Sequence, residues 1–320
     1  MEELLVIQTE RLCKNFDEFE AVKNVTLHVE PNEIYGFLGP NGAGKTTTIM
    51  MLLGLEKPSS GRISLFGQSL QNNYFNIKQR LGVLAEHQHF YDDMTAREFL
   101  DFFATLHRVE NKTQRIEELL EKVDLRQFGN VRARDFSRGM QQKLGMVRAL
   151  LHDPELLILD EPVSALDPHG ILEIRRLLQE QVEQGKTVFI SSHILSEVEQ
   201  TADRIGIMNK GRLVAEDTLD NLRRKLSQQI DLVLELQEIT PHLVNSLSPL
   251  DFVHEINSNG NKLRLKLDAT ADFRAQIFAA VSSQGGVILD MRTKDMSLEE
   301  AFVTITEQNV SLLAGTEEAA

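Results

Sequence analysis

The chain has 320 residues, more than the roughly 250 that one hydrophobic core usually organises, so two domains are expected. Its 42% hydrophobic and 26% charged residues are those of an ordinary globular protein and exclude extensive disorder, while a formal net charge of −14 opposes nonspecific attraction to nucleic acid or anionic lipid. The one cysteine, Cys13, excludes an intramolecular disulfide, the start Met1-Glu2-Glu3 lacks the marks of a secretory leader, and no run approaches the ~18 apolar residues of a membrane span. A cytosolic setting is expected, with any link to a membrane made through another protein.

Residues 4–9 and 25–29 read as strands, the second alternating about Leu27, with Lys14-Asn15-Phe16-Asp17 as a turn between them. Residues 34–38 form a short apolar strand. Gly39-Pro40-Asn41-Gly42-Ala43-Gly44-Lys45-Thr46-Thr47 follows it and opens a helix that runs to Leu53, which is a phosphate-binding loop in its required setting. Gly39, Gly42 and Gly44 remove side chains where backbone N–H groups must turn inward, and the helix aims its positive end at the same point. Lys45 supplies a point charge for the β- and γ-phosphates, Thr46 a hydroxyl for Mg²⁺ and Thr47 further donors, so the chain is expected to bind a nucleoside triphosphate.

Strands at 62–66 and 81–84 come next. Thr95 with Glu98 then forms a capping box, Phe99, Phe102, Phe103 and Leu106 fall at helical spacing, and Ile116, Leu119, Leu120 and Val123 continue in a second helix. This insert ends with a helix after Ser137 that carries Leu144, Val147 and Leu151. At its start Phe136-Ser137-Arg138-Gly139-Met140-Gln141 offers a second anion site, made by Ser137, the Gly139 backbone and the helix dipole. Leu156-Leu157-Ile158-Leu159 is a buried-type strand ending in Asp160 and Glu161, where the first carboxylate can hold Mg²⁺ through water and the second can polarise an attacking water. Ser164-Ala165-Leu166-Asp167 follows, then a helix over 168–184 and a strand at 187–190. His193, beyond Ser191-Ser192, falls at the carboxyl edge of the sheet, where ligands of open α/β folds collect. A strand at 204–208 completes an alternation that implies a mostly parallel sheet.

Beyond about Ser227 the pattern changes to a strand at 231–236, a helix at 241–247, a strand at 251–256 and a turn at Asn257-Ser258-Asn259-Gly260. A strand at 262–267 follows, with Leu263, Leu265 and Leu267 alternating with Arg264 and Lys266, then a helix at 272–281 and a strand at 286–291. That βαββαβ order is the ferredoxin-like split arrangement. Ser297 and Glu300 cap a last helix through Phe302, and residues 311–320 read as a frayed tail.

In these motifs and their order, roughly the first two-thirds of the chain resembles the ATP-binding subunit of an ABC transporter, of exporter type. The resemblance implies an α/β P-loop NTPase domain of ABC type over 1–226 with a helical subdomain at about 89–154. A small α+β ferredoxin-like domain over 228–306 and a flexible tail over 307–320 complete the expected layout. By the same resemblance Gly39 to Thr47 are the Walker A loop and Leu156 to Asp160 the Walker B strand, with Glu161 the catalytic glutamate and His193 the switch histidine. Ser164 to Asp167 match the D-loop, and Phe16 stands where an aromatic stacks on adenine. Ser137, Arg138, Gly139 and Met140, with Asp167, contact the ATP of a second copy. Arg138 departs from the usual Leu-Ser-Gly-Gly-Gln, standing at its first glycine. Thr46, Asp160 and Glu86 are the implied Mg²⁺ contacts, Glu86 taking the position of the family's glutamine with Gln88 as its competitor.

The same resemblance implies two nucleotide-binding subunits, a homodimer, clasping ATP head to tail. A membrane-spanning subunit docks on the helical insert and the Glu86 segment, which places the chain at the cytoplasmic face of the cell membrane and makes export the expected work. The C-terminal domain offers no His or Cys cluster and is expected to dimerise or regulate. No nucleic-acid partner is expected. The alternative, a soluble ABC-type ATPase acting on ribosomes or DNA, usually carries two ATPase halves or a long coiled-coil insertion, and this chain has neither.

Overall fold

The computed structural model describes residues 5–226, 229–268, 271–294 and 298–307. The chain divides into two compact units, the first ending at Thr218 and the second beginning at Leu219.

The first unit holds two sheets. In one, β1 (Ile7–Phe16) and β2 (Phe19–Val29) form an antiparallel hairpin. The segment expected to turn at Lys14 is strand as far as Phe16, which pairs with Phe19 across Asp17 and Glu18, and Asp17 at φ 51° makes the left-handed bend. The pairing is hard to read from the sequence because the ladder shifts register between Thr9 and Asn15, so the two-residue alternation breaks there. β4 (Ser60–Leu65) and β5 (Gln68–Ser69) extend this sheet in the order β2-β1-β4-β5.

The other sheet has six strands, in the order β10 (Arg212–Thr218), β9 (Arg204–Asn209), β3 (Ile34–Leu38), β8 (Thr187–Ser192), β7 (Leu156–Asp160) and β6 (Leu81–Leu84). All run parallel except β10, which returns along β9 as an antiparallel edge. β3 and β7 are buried at every residue, which is why they read as unbroken apolar runs. Tyr35 stacks on Phe189 with ring centroids 5.6 Å apart, and Phe37 meets the same ring at 5.2 Å. The buried Tyr35 hydroxyl donates to Glu216 Oε1 at 2.8 Å, and the His28 N–H of β2 donates to the same oxygen at 3.1 Å. One carboxylate therefore ties strands of both sheets.

α1 (Lys45–Leu52) follows β3. α2 (Tyr74–Gln79), like β5, β10 and the later α7 (Leu195–Glu199), is too short or too polar to show in the spacing. α3 (Ala96–Leu106) begins at the expected capping box, with Glu98 N–H donating to Thr95 Oγ1 at 3.3 Å and Thr95 N–H donating to Glu98 Oε2 at 2.8 Å. Its apolar stripe is half covered: Phe99 is buried, while Phe102 is 42% and Leu106 65% exposed, beside Tyr91 at 52%. α4 (Lys112–Lys122) and α5 (Arg138–Leu150) complete the insert, and α6 (Pro168–Glu183) follows β7.

The second unit begins with α8 (Leu219–Leu226) and continues as β11 (Gln229–Leu236), α9 (Pro241–Leu247), β12 (Val253–Asn259), β13 (Lys262–Asp268), α10 (Arg274–Ser283) and β14 (Ile288–Lys294). The sheet order β12-β13-β11-β14, antiparallel throughout, is the ferredoxin-like arrangement read from the sequence. Leu232, Leu234 and Leu236 pack with Leu263, Leu265 and Leu267 against Leu243 and Leu247 of α9 and Ile277 and Val281 of α10. β12 runs through Asn257 to Asn259, further than expected, and Asn259 pairs with Lys262 across a two-residue turn in which Gly260 takes φ 62°. The last helix is α11 (Leu298–Glu307); Ser297 and residues 311–320 lie outside the described residues.

The insert is anchored to β6 by His152, just past α5. Its Nε2 lies 2.9 Å from the Leu81 carbonyl and its ring stacks on His107 at 4.1 Å. A carbonyl only accepts, so Nε2 carries the hydrogen. Burial, with the adjacent His107, pushes the imidazole down to about 4. An unfolded chain, with an ordinary histidine near 6.5, binds more protons between those values, so stability is full above about 6.5 and falls as pH drops toward about 4. His152→Gln keeps a donor for Leu81 and does not titrate; it is expected to flatten that loss, measured by urea midpoints of both proteins at about pH 7 and about pH 5.

Candidate nucleotide site

Gly44, the residue before α1, sits at φ 102°, and a Cβ there would stand 2.6 Å from the Ala21 carbonyl oxygen. No side chain caps α1, so the first N–H groups of the helix are presented to the loop, the arrangement that receives an anion. Lys45 is buried and folds back along the loop, its Nζ donating to Gly39 O at 2.7 Å and Pro40 O at 3.4 Å. Thr46 is exposed, Thr47 half-buried, and Thr48 is turned inward, its hydroxyl donating to Gly44 O at 2.9 Å.

Parallel pairing of β3, β8 and β7 brings the carboxyl ends of these strands together. Asp160 and Glu161 are both buried there. The Ser191 hydroxyl of β8 donates to Asp160 Oδ1. Burial raises the Asp160 pKa, and the negative charges of Glu86 and Glu161 add to the effect. Burial lowers the Lys45 pKa, with Glu161, Asp160 and Glu86 opposing that shift. The field of Glu86 thus reaches both groups. Thr46, Asp160 and Glu86 are oxygen donors of the kind a hard divalent cation takes, and the surplus of negative charge suits one.

Glu161 holds a left-handed backbone, φ 53°, which costs a non-glycine residue on the order of 1–3 kcal/mol unless its surroundings fix it. Its N–H lies 3.2 Å from both Ser191 O and Ser191 Oγ, and its carbonyl accepts from Gln142 Nε2 at 2.9 Å. His193 Nδ1 meets Glu161 Oε2 at 2.8 Å while the His193 side chain is 56% exposed. A carboxylate oxygen accepts, so Nδ1 carries the hydrogen and Nε2 remains for another partner.

Gln88 takes a different course from Glu86. Its Nε2 donates to Gln142 Oε1 at 3.3 Å, and its amide lies against Gly145 of α5. Glu86 is exposed, and its charge acts on Lys45 and Asp160. Sequence reasoning missed Ser191, Gln142 and Gly145. Ser191, in the Ser191-Ser192 pair before His193, could have been flagged, whereas nothing in the run Gln141-Gln142 tells which amide is buried.

The remaining predicted residues form two further places. Ser137 caps α5, its Oγ accepting from Met140 N–H at 3.2 Å, and a Cβ on Gly139 would stand 3.1 Å from Ala165 O, so this segment lies against the one that follows Glu161. Arg138 is exposed and Met140 half-buried. Asp167 caps α6, accepting from Gly170 N–H at 2.9 Å ahead of Pro168. Phe16 ends β1 with its ring partly exposed and Lys14 Nζ 4.7 Å from its centroid.

A phosphate-binding loop, two buried acids and a histidine at the ends of parallel strands define a P-loop ATPase cassette, and comparison with known proteins agrees. The family described as "ABC transporter" matches residues 22–164. An uncharacterized ABC transporter ATP-binding protein, YcbN of Bacillus subtilis (strain 168), is 38% identical over 307 residues, covering 95% of this chain and 98% of the relative. The bacitracin transport ATP-binding protein BcrA of Bacillus licheniformis is 46% identical over 233 residues, covering 72% of this chain and 76% of the relative. The solved structure of the ATP binding subunit of an ABC transporter superposes with a TM-score of 0.65 at 31% identity, covering 69% of this chain and 92% of that one. The chain belongs to the ABC transporter ATP-binding family. It is an ATPase subunit with a P-loop fold.

Gly44→Ala meets both the left-handed φ and the Ala21 carbonyl, whereas a Cβ on Gly42, at φ 78°, meets nothing within 4 Å. Gly44→Ala is expected to lower ATP affinity at least about tenfold and Gly42→Ala by less, read by fluorescent-nucleotide titration of both variants.

Proposed function

We propose that the chain is the ATP-hydrolysing subunit of an exporter whose membrane-spanning part is a separate protein. The observation that carries the hydrolytic half is the Glu161 carboxylate, buried beside Asp160 and Lys45 and bonded to His193 at 2.8 Å. Lys45 and the α1 N-terminus hold the β- and γ-phosphates, Glu161 orients the attacking water, and His193 reaches the γ-phosphate through its free nitrogen. Thr46, Asp160 and Glu86 would hold Mg²⁺, which supplies charge neutralisation between the phosphates. Phe16 lends an aromatic face to adenine.

Ser137, Arg138, Gly139 and Met140, with Asp167, clasp the nucleotide of a second copy. Support comes from the placement of Ser137, whose capped helix start lies against the loop after Glu161. The partly exposed apolar side chains Tyr91, Phe102 and Leu106 of the insert suit a helix of the membrane-spanning partner. Among the described residues no helix is long and apolar enough to cross a membrane. The relative BcrA serves bacitracin transport, which favours export as the work done here. The second unit, residues 228–306 in the proposed division, dimerises or regulates.

Glu161→Gln is expected to suppress ATP turnover by ~10²–10³ while keeping ATP bound, so that size-exclusion chromatography with ATP and Mg²⁺ recovers a dimer; turnover at the wild-type rate would reject the assignment. Lys45→Ala acts earlier. It is expected to weaken ATP binding itself, and an unchanged affinity in equilibrium titration counts against the loop's role.

A further inference from the structure

Gln142 takes no part in the reading above, yet it is buried and both ends of its amide are engaged. Nε2 donates to the Glu161 carbonyl at 2.9 Å, and Oε1 accepts from Gln88 Nε2 at 3.3 Å. Gln88 in turn sits where α5 has no side chain: a Cβ on Gly145 would come within 1.7 Å of Gln88 Oε1. That oxygen is buried and, among the described residues, has no hydrogen-bond donor. The three residues are therefore fitted to one another.

The bond to Glu161 falls at a vulnerable place. Pro162 follows Glu161, so the peptide between them has no N–H and only its carbonyl can be anchored. That carbonyl accepts a longer bond from Ser164 N–H, 3.3 Å, within its own turn. Gln142 supplies the shorter one, from a different element. On the other side the Glu161 N–H is held by Ser191. Between these two anchors lies the left-handed φ of Glu161, a conformation that a residue with a side chain keeps only when its surroundings impose it. Releasing the carbonyl frees Glu161 to return toward an ordinary φ, which swings its carboxylate away from His193.

We infer that Gln142 is a positioning residue for ATP hydrolysis, fixing the Glu161 backbone, with Gln88 seated on Gly145 to orient the Gln142 amide. Gln142 stands on α5, the helix that Ser137 opens, and Gln88 stands two residues from Glu86. The aim of the carboxylate is thereby tied to the segment that begins at Ser137 and to the segment that carries Glu86. The inference rests on the reading of Glu161 as the hydrolytic carboxylate.

The test uses the full chain and its ATPase activity. Gln142→Met conserves volume and removes both bonds; it is expected to lower kcat about tenfold while KM for ATP stays within about twofold, since the phosphate loop is untouched. Gln88→Met and Gly145→Ala, which evicts Gln88, are each expected to lower kcat by a smaller factor. Adding either to Gln142→Met is expected to cause no further loss, because the three act in series. Should Gln142→Met fold poorly, Gln88→Met, at a half-buried site, carries the same kcat-against-KM comparison. The inference is overturned if kcat is unchanged in Gln142→Met, if KM rises as much as kcat falls, or if the losses multiply when combined. A Glu161→Ala variant that hydrolyses ATP at the wild-type rate sinks the underlying reading; inactive Glu161→Ala beside fully active Gln142→Met sinks this inference alone.

Discussion

Lys45, Asp160 and Glu161 are withdrawn from water together, and the ammonium is what makes two mutually repelling acids tolerable there, as they in turn support its charge. An ammonium or a carboxylate buried alone would lose its charge, as the downward push of burial on Lys45 and the upward push on Asp160 indicate. Everything else in the first unit serves to place these groups. β3 delivers the loop that carries Lys45, β7 delivers the two acids, and β8 stands between them to supply Ser191 and His193. The strands must be parallel for their carboxyl ends to coincide, and parallel strands must be covered on both faces, which requires the helices.

Much of this was legible because it is local. The loop from Gly39 to Thr47 declares itself by spacing, the capping box of α3 by two residues, and β3 and β7 by unbroken apolar runs. The ferredoxin-like order of the second unit was legible for a related reason: Leu263, Leu265 and Leu267 alternate with charged residues as a one-sided sheet requires. What escaped depends on contacts between distant segments. The pairing of Phe16 with Phe19 is masked by bulges, and periodicity marks Phe102 and Leu106 as one stripe with Phe99 without telling what covers them. Gln142 escaped for the plainest reason, since an amide in a helix gives no sign of facing a carbonyl 19 residues further along the chain.

The two units solve the same packing problem differently. The first buries strands on both faces and places charge at their ends. The second covers one sheet face with α9 and α10 and leaves the other to cross-strand pairs of opposite charge, Asp231 with Arg264, Glu235 with Lys262 and Glu255 with Lys266. Such exposed pairs contribute little stability each, so the leucine layer beneath carries the second unit.

The Glu216 carboxylate, shared by the Tyr35 hydroxyl and the His28 amide, has a mechanical corollary. It is a rivet through two plates: the antiparallel sheet that carries Phe16 and the parallel sheet whose β3 leads to Lys45 cannot shear past one another without breaking the His28 N–H bond to the carboxylate that also satisfies the buried Tyr35 phenol. Movement of the hairpin that ends at Phe16 is therefore coupled along that seam to β3, the strand that leads into the loop of Lys45.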